Sequence, residues 1–536
     1  MAFDISRRSF VAASGALAGL AAVGTGATFG VAEEAAYEEG VTTVWGHCAI
    51  NCPGRCSLKF HVKDGEVLWV DTYATDTLDL DDPQPRACLK GRSYRAWMND
   101  PNRINYPMKR VEGTKRGDGQ YEQISWDEAI ELIATSLRHV IDTYGNEAVY
   151  YNYGSGVSCS TSRVFQRLLR LLGGYVGYYG SYSTAQISWI TPYIYGSAGG
   201  STISAAADAD LVLVFGSSPV ETRQGGAVSH HDWVRARENN QGKILYIDPR
   251  MSDSASGHSE SWLPINPGTD AALAAALVHE YILNGWVDTE MIHTYAVGFD
   301  EETMPESAKG QNKSYSDYIM GTGYDMVEKT PEWAAAITGI AADKIRELAA
   351  EINAAESVYI VQGWGPQRRS NGEMTSAAIM ILPIITGNFG LPGTNCGVRE
   401  GSGASFSVGS ISQGTNPVST LISCFSMVDA IDHGAEMTEV ADGVRGAEKL
   451  STNLKWVMNY GGNCITNQNS DINRVHDVMS DDTKCEFVLG MDVSMCDSLK
   501  YCDVILPDIF RFEQDSIIAT AGDDAYMICG TPVLPE

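Results

Sequence analysis

Apolar positions along this chain follow two periods, and the two alternate. Behind Ser125-Trp126-Asp127-Glu128, residues Ala129, Ile130, Ile133, Leu137, Val140 and Ile141 recur at helical spacing. Ser125 with Glu128 three residues on reads as a capping box, which marks where that helix begins. Elsewhere short apolar runs, β-branched in part, are bounded by glycine and turn residues: 211–215, 243–247, 358–361, 454–457 and 487–489. Runs of that length without polar alternation are predicted to be strands buried on both faces, as in parallel sheets. Residues 270–284 predict a helix, with Thr269 as its N-cap and Gly285 as its stop. Alternating strands and helices predict an α/β fold with mainly parallel sheets, whose ligands bind at the carboxyl ends of strands.

Polar residues collect at those ends. The run 211–215 leads into Gly216-Ser217-Ser218-Pro219-Val220-Glu221-Thr222-Arg223, and 243–247 leads into Asp248-Pro249-Arg250, then Ser252 and Asp253. Pro267-Gly268-Thr269-Asp270 opens the next helix, whose free N–H groups suit an anion or a polar ring edge. A carboxylate after a strand can accept from a ribose or a guanine. The succession predicts a nucleotide site built from Gly216, Ser217, Glu221, Thr222, Arg223, Asp248, Pro249, Arg250, Asp253, Gly268 and Asp270. Each segment alone is weak, because α/β proteins often place Asp or Gly there for turn chemistry. Neither G-x-G-x-x-G nor G-x-x-x-x-G-K-[ST] occurs in a strand-to-helix context, which disfavours NAD and ATP.

Length and charge narrow the class. At roughly 150 residues per domain, 536 residues predict about three or four domains. The 44% hydrophobic and 20% charged fractions are those of a globular chain. A formal charge of −29 argues against a nucleic-acid partner, which needs clustered Lys and Arg. Ser6-Arg7-Arg8-Ser9-Phe10 is a twin-arginine pattern, followed by a mildly apolar Ala/Gly-rich run over 11–31 and small residues at Gly30-Val31-Ala32. A short anchoring or amphipathic helix is the alternative, but the run is too glycine-rich for a good span, which wants ~20 strongly apolar residues. Residues 1–32 are therefore read as an export signal that takes the protein to the periplasm or the outer face of the cytoplasmic membrane. That route moves folded proteins, and a cofactor inserted beforehand is the usual reason. No later stretch predicts a membrane span, so attachment to a membrane would come through a partner.

Twelve cysteines in an exported chain could pair as disulfides. Their distribution favours a metal centre: Cys48, Cys52 and Cys56 stand at C-x3-C-x3-C spacing, and Cys88 could supply a fourth thiolate from a distant loop. A [4Fe–4S] cluster takes four cysteines. Zinc is the rival, with His47 able to confuse the count, although structural zinc sites favour two separated pairs. Cys396, Cys424, Cys464, Cys485, Cys496, Cys502 and Cys529 show no ligand spacing and read as small buried hydrophobes. Lys90, two residues after Cys88, could offset thiolate charge or reach the next redox centre. A solvated surface lysine is the plainer reading.

These motifs resemble the dimethyl sulfoxide reductase family of molybdopterin oxidoreductases. The resemblance is carried by the four cysteines with Cys88-Leu89-Lys90-Gly91-Arg92, by Tyr106-Pro107-Met108-Lys109-Arg110, and by Ile124-Ser125-Trp126-Asp127-Glu128-Ala129. It continues in order through Tyr182-Ser183-Thr184-Ala185-Gln186-Ile187, Val214-Phe215-Gly216, Glu221-Thr222-Arg223, Ile247-Asp248-Pro249-Arg250 and Pro267-Gly268-Thr269-Asp270. Gly363-Trp364-Gly365-Pro366-Gln367, Thr386-Gly387-Asn388 and Asp503-Val504-Ile505-Leu506-Pro507 complete it, so it covers nearly everything after the signal.

The resemblance implies a molybdenum held by two molybdopterin guanine dinucleotides, one [4Fe–4S] cluster, and Ser183 as the protein ligand to the metal. A serine there favours oxygen-atom transfer from a sulfoxide or N-oxide in anaerobic respiration. Ser181 and Thr184 are the neighbours that could matter instead. Electrons would pass through the cluster, with Lys90 between cluster and pterin. Gly363, Trp364, Gly365 and Gln367, and the turn with Gly462 and Asn463, would lie nearer the pterins and the second dinucleotide. The implied domains are a cluster domain over 41–105, a discontinuous α/β molybdopterin domain over 106–185 plus 366–536, and an α/β guanine-dinucleotide domain over 186–365. The family's C-terminal β-barrel-like domain is expected to be absent. An iron–sulfur electron-transfer subunit and a membrane anchor are the implied partners. Reductive dehydroxylation of another organic substrate, or a truncated remnant without catalysis, are the alternatives.

Overall fold

A computed structural model describes residues 39–48, 50–52, 54–72, 85–154, 163–196, 199–239, 243–257, 261–403, 408–519 and 527–534. The expected signal at 1–32 lies outside them. Thr42–His47, Ser57–Lys63 and Glu66–Thr72 form a three-stranded antiparallel sheet. Leu58, Phe60 and Val62 alternate inward, and their core is shared with Tyr94 and Met98 from the helices after Cys88. Phe510, Phe512 and Val533 belong to the same core. Tyr94 packs edge-on to Phe512, with ring centroids 4.7 Å apart, so this core draws together segments more than four hundred positions apart in the chain.

A six-stranded sheet runs in the order Tyr121–Gln123, Met108–Arg110, Val504–Pro507, Phe487–Asp492, Trp456–Tyr460, Val149–Tyr151. The last four are mutually parallel, and they join residues 149–151 to residues 456–507. Both faces are buried, which is why these strands read as apolar runs: Val149, Trp456, Met458 and Leu489 face the helix Trp126–Tyr144, while Val457, Val488 and Ile505 face Val475 and Val478. Ser125 caps that helix by accepting from the Glu128 N–H, but the reciprocal half of the capping box is not made. The Glu128 carboxylate instead takes Lys109 Nζ at 2.7 Å.

The third sheet is wholly parallel and lies in chain order between the halves of the second. Its order is Trp262–Leu263, Ile244–Ile247, Leu211–Phe215, Val358–Gln362, Asn395–Arg399. It therefore extends past residue 365, the boundary expected from sequence, because Asn395–Arg399 pairs with Val358–Gln362 although it carries no apolar run. The helix Asp270–Leu283 is buried nearly throughout, packed by Pro331–Thr338, Ala342–Ala354 and Gly372–Ile385. Thr269 stands at its N-cap position, but its hydroxyl bonds back to the Asn266 carbonyl at 2.7 Å. Gly285, at φ +67°, ends the element as expected. The chain leaves Leu211–Phe215 in one direction and returns on its other side at Val358–Gln362. The gap between these two strand ends is a topological switch point, where open parallel sheets bind ligands.

Candidate functional site

The cysteines sit on the rim of the first sheet. Cys48 follows the first strand and Cys56 precedes the second, and the loop between them is closed by Cys48 N–H donating to the Cys56 carbonyl at 2.8 Å. Cys88 stands at the head of the short helix Leu89–Arg92. Gly91 lets that helix approach, because a Cβ there would lie 3.4 Å from Cys48 Sγ and 3.3 Å from Ala87 Cβ. All four thiols are free. Burial, then the neighbouring cysteines, push Cys56 up to about 12, and burial pushes Cys48 up to about 11. Such thiols ionise only when a cation takes their charge. No three His, Cys, Asp or Glu side chains among the described residues come close enough to hold a single ion. Four thiols carried by two chain segments are the number of ligands a [4Fe–4S] cluster takes. The set fits the cluster.

The cluster loop leans on the nucleotide segment. A Cβ on Gly54 would lie 3.5 Å from Ala227 Cα, and the Arg223 guanidinium, which donates to the Arg86 carbonyl, draws the Cys56 thiol down against its other neighbours. Lys90 is exposed on its helix, and its ammonium has no hydrogen bond or ion pair among the described residues.

At the switch point the two strand ends touch. Gly216 turns at φ +54°, and Gly363 and Gly365 face its carbonyl so closely that a Cβ on either would lie 2.3 Å and 2.9 Å from it. Glycine is required there by approach as well as by turn. Arg250 holds Glu221 through two bonds of 3.1 and 2.7 Å, which hold the Glu221 carboxyl below its ordinary range. Ser217 Oγ donates to Glu400 at 2.7 Å, and Thr222 Oγ1 donates to the Ser218 carbonyl at 3.1 Å. Asp248 accepts from the Arg250 N–H at 2.9 Å, beside Pro249, while Asp253 is exposed. Burial raises Asp248 and takes Asp270 up to about 6, the latter offset by Arg369, which also lies 3.3 Å from a Cβ on Gly268. Two half-desolvated carboxyls in one cleft suit the N–H edge of a purine. Three buried donors in these segments lack a partner among the described residues: Trp364 Nε1, Ser252 Oγ and Arg223 Nε. Unpaired buried donors are costly, and a polar ligand satisfies them. The cradle fits a nucleotide-bearing cofactor.

Ser183 stands between the two α/β sheets. It follows the strand Gly177–Tyr179 and precedes the helix Ala185–Tyr195. Its N–H donates to Ser181 Oγ at 3.1 Å, and its carbonyl accepts Gln367 Nε2 at 2.6 Å and Arg368 Nη2 at 3.3 Å. Its own hydroxyl has no hydrogen bond among the described residues, so a lone pair is free for a metal. Sequence reading missed the wall beside it. Tyr153 hydrogen-bonds Ser181 at 3.4 Å and packs its ring on Tyr178 and Tyr182, while Tyr182 meets Phe425 edge-on and donates to the Cys424 carbonyl. The density of tyrosine in 150–153 and 175–182 was the available signal. Asn463 is less free than expected: its side-chain oxygen accepts from the Ser498 N–H and hydroxyl at 2.8 and 2.6 Å, and Gly462 is held by Asn459 at 2.9 Å.

Residues 103–523 match the molybdopterin oxidoreductase family, and residues 41–100 match the molybdopterin oxidoreductase Fe4S4 domain. YnfE of Escherichia coli (strain K12), named as a dimethyl sulfoxide reductase chain, is 46% identical over 99% of this chain and 67% of its own length. Dimethyl sulfoxide reductase DmsA of the same organism is 42% identical over 100% of this chain and 67% of its own. The chain thus spans about two thirds of the length of these relatives. Acetylene hydratase from Pelobacter acetylenicus shares the fold, with a TM-score of 0.63 at 20% identity over 92% of this chain and 66% of that one. The two matched segments bring a molybdopterin and one [4Fe–4S] cluster as cofactors, which the cleft and the four thiols accommodate. The chain belongs to the molybdopterin oxidoreductase family, as an oxidoreductase with an N-terminal Fe4S4 domain ahead of its molybdopterin oxidoreductase domain.

Proposed function

We propose that this oxidoreductase reduces a sulfoxide or N-oxide, with Ser183 as the protein ligand to a molybdenum carried by two molybdopterin guanine dinucleotides. The observation that carries the reading is the Ser183 hydroxyl, unbonded among the described residues although both backbone groups of the same residue are fixed. The dimethyl sulfoxide reductases among its relatives support the substrate class. Bound, the cofactor supplies the two-electron oxygen-atom acceptor.

The chain's own residues supply position and surroundings. Tyr153, Tyr178, Tyr182 and Phe425 make an aromatic wall beside Ser183. Burial holds the Tyr182 phenol above its ordinary range, so it stays neutral and its O–H donates to the Cys424 carbonyl. Tyr153 Oη lies 3.4 Å from Ser181 Oγ, beside the turn. The overall reduction takes two protons and two electrons, and the substrate oxygen leaves as water. Electrons enter through the cysteine loop, with Lys90 and Arg223 offsetting charge on the way. The twin-arginine pattern at Arg7-Arg8 supports export, with the chemistry then outside the cytoplasm. Among the described residues no helix is long and apolar enough to cross a membrane. An iron–sulfur subunit and a membrane anchor are the partners that would deliver the electrons in this reading.

Turnover of dimethyl sulfoxide and trimethylamine N-oxide by the Ser183→Ala enzyme, driven by a reduced viologen, tests the reading. A loss on the order of a hundredfold with both oxides is expected. Turnover equal to the unsubstituted enzyme would remove Ser183 from the metal.

A further inference from the structure

We propose that Arg445 is a specificity-determining residue at the mouth of the Ser183 site, where it selects flat oxides that carry a carboxylate over neutral ones. This rests on the reading of the protein as a sulfoxide or N-oxide reductase. Arg445 lies in the segment Gly443-Val444-Arg445-Gly446, whose glycines stand at φ +70° and +76°. Its N–H and its carbonyl both bond to Leu421, at 2.9 Å each. Val444 beside it is fully buried, so in this extended stretch the Arg445 side chain points the other way. There it reaches across the strand Leu421–Ser423 to Tyr179, on the paired strand Gly177–Tyr179.

The guanidinium carbon stands 3.5 Å from the centre of the Tyr179 ring and 5.0 Å from that of Trp189. Those rings flank the Ser183 turn: Tyr179 ends the strand before it, and Trp189 lies on the helix Ala185–Tyr195 after it. Tyr179 is itself fixed, since its Oη donates to the Gly443 carbonyl at 2.7 Å and a Cβ on Gly443 would lie 2.6 Å from that oxygen. The rings hold the cation by their faces and leave its N–H donors unspent. Other arginines of this chain have carboxylate partners, as Arg103 has Glu513, Arg250 has Glu221 and Arg474 has Asp429. The Arg445 guanidinium makes no hydrogen bond or ion pair among the described residues, although acidic side chains outnumber basic ones 67 to 38. Trp189 is 52% exposed and Tyr193, one turn further along its helix, 71%, so this corner opens to solvent. An oriented arginine with a free fork takes a carboxylate through two parallel N–H bonds. The rings around it favour a flat apolar body between that carboxylate and the reducible oxygen.

The test is turnover of para-methylsulfinylbenzoate, para-methylsulfinylbenzamide and dimethyl sulfoxide by the cofactor-loaded enzyme, driven by a reduced viologen. The benzoate and the benzamide share a shape and differ in charge. In the unsubstituted enzyme kcat/KM for the benzoate is expected to exceed that for the benzamide on the order of tenfold. In Arg445→Gln that ratio should fall to about one, mainly through a higher KM for the benzoate. A benzoate no better than the benzamide in the unsubstituted enzyme, with dimethyl sulfoxide reduced, overturns this inference alone. So does an Arg445→Gln enzyme that slows both aryl oxides alike and keeps their ratio, the mark of a purely structural arginine. If none of the three oxides is reduced, the underlying reading fails and this inference with it. Should Arg445→Gln not fold, Trp189→Leu decides, since it removes a half-exposed ring that holds the cation. The ratio should then fall about threefold, and an unchanged ratio overturns the inference.

Discussion

Asp270 shows what burial does to a single carboxyl. It is 5% exposed at the first position of a buried helix, and burial raises its carboxyl to about 6 against an ordinary 3.8. A carboxyl raised on folding binds more protons in the native than in the unfolded state between those values. Stability is therefore fullest below about pH 4, falls as pH rises to about 6, and stays lowered above, by about 3 kcal/mol at most. Asp270→Asn in cofactor-free protein is expected to flatten that slope and gain about 2 kcal/mol at pH 7, after loss of a small helix-dipole contribution. Urea midpoints at pH 4 and pH 7 check it, and an unchanged slope would show that Asp270 is not the responsible group. At this scale Gly216 and Asp248 stood out because they directly follow apolar runs, whereas Asp270 opens a helix after Pro267-Gly268-Thr269. Gln367 was named as a cofactor contact, but its bonds to Ser183 and Ile187 were not legible, since nothing local in Pro366-Gln367-Arg368 points to residues so distant.

At the scale of elements, strands buried on both faces were readable and strands defined by their partners were not. The run 211–215 is the observed strand Leu211–Phe215, each residue buried. Asn395–Arg399, with Asn, Gly and Arg in five residues, becomes a strand only through pairing with Val358–Gln362. The edge of the six-stranded sheet depends similarly on a buried ion pair. Arg116, its side chain fully buried, donates to Asp503 at 2.6 Å and to the Cys485 carbonyl at 2.7 Å. Asp503 in turn accepts the Val488 N–H at 2.8 Å. Arg116→Met leaves that carboxylate under-compensated and should cost about 3 kcal/mol, at the low end because Arg110 remains beside it. Chemical denaturation measures this, and Arg116→Met with Asp503→Leu should recover most of the loss. If the single variant were as stable as the parent, the pair would carry no strand register.

For the whole molecule, two sites of different chemistry share one wall of protein: the thiol loop rests on Ala227 and Arg223, and these follow the strand that opens the nucleotide cradle. The four cysteines and the order of motifs were legible in sequence because ligand spacing is local. The Phe510, Phe512 and Val533 contribution to the cluster domain was not, because it arises from chain returning across the molecule. A surface with a formal charge of −29 keeps such a chain soluble and leaves basic groups such as Arg223 notable where they occur. The most direct measurement is the metal and guanine-nucleotide content of the polypeptide purified without oxygen. The account predicts about four iron, ~one molybdenum and about two guanine nucleotides per chain. Zinc in place of iron, or iron without molybdenum and guanine, would contradict it.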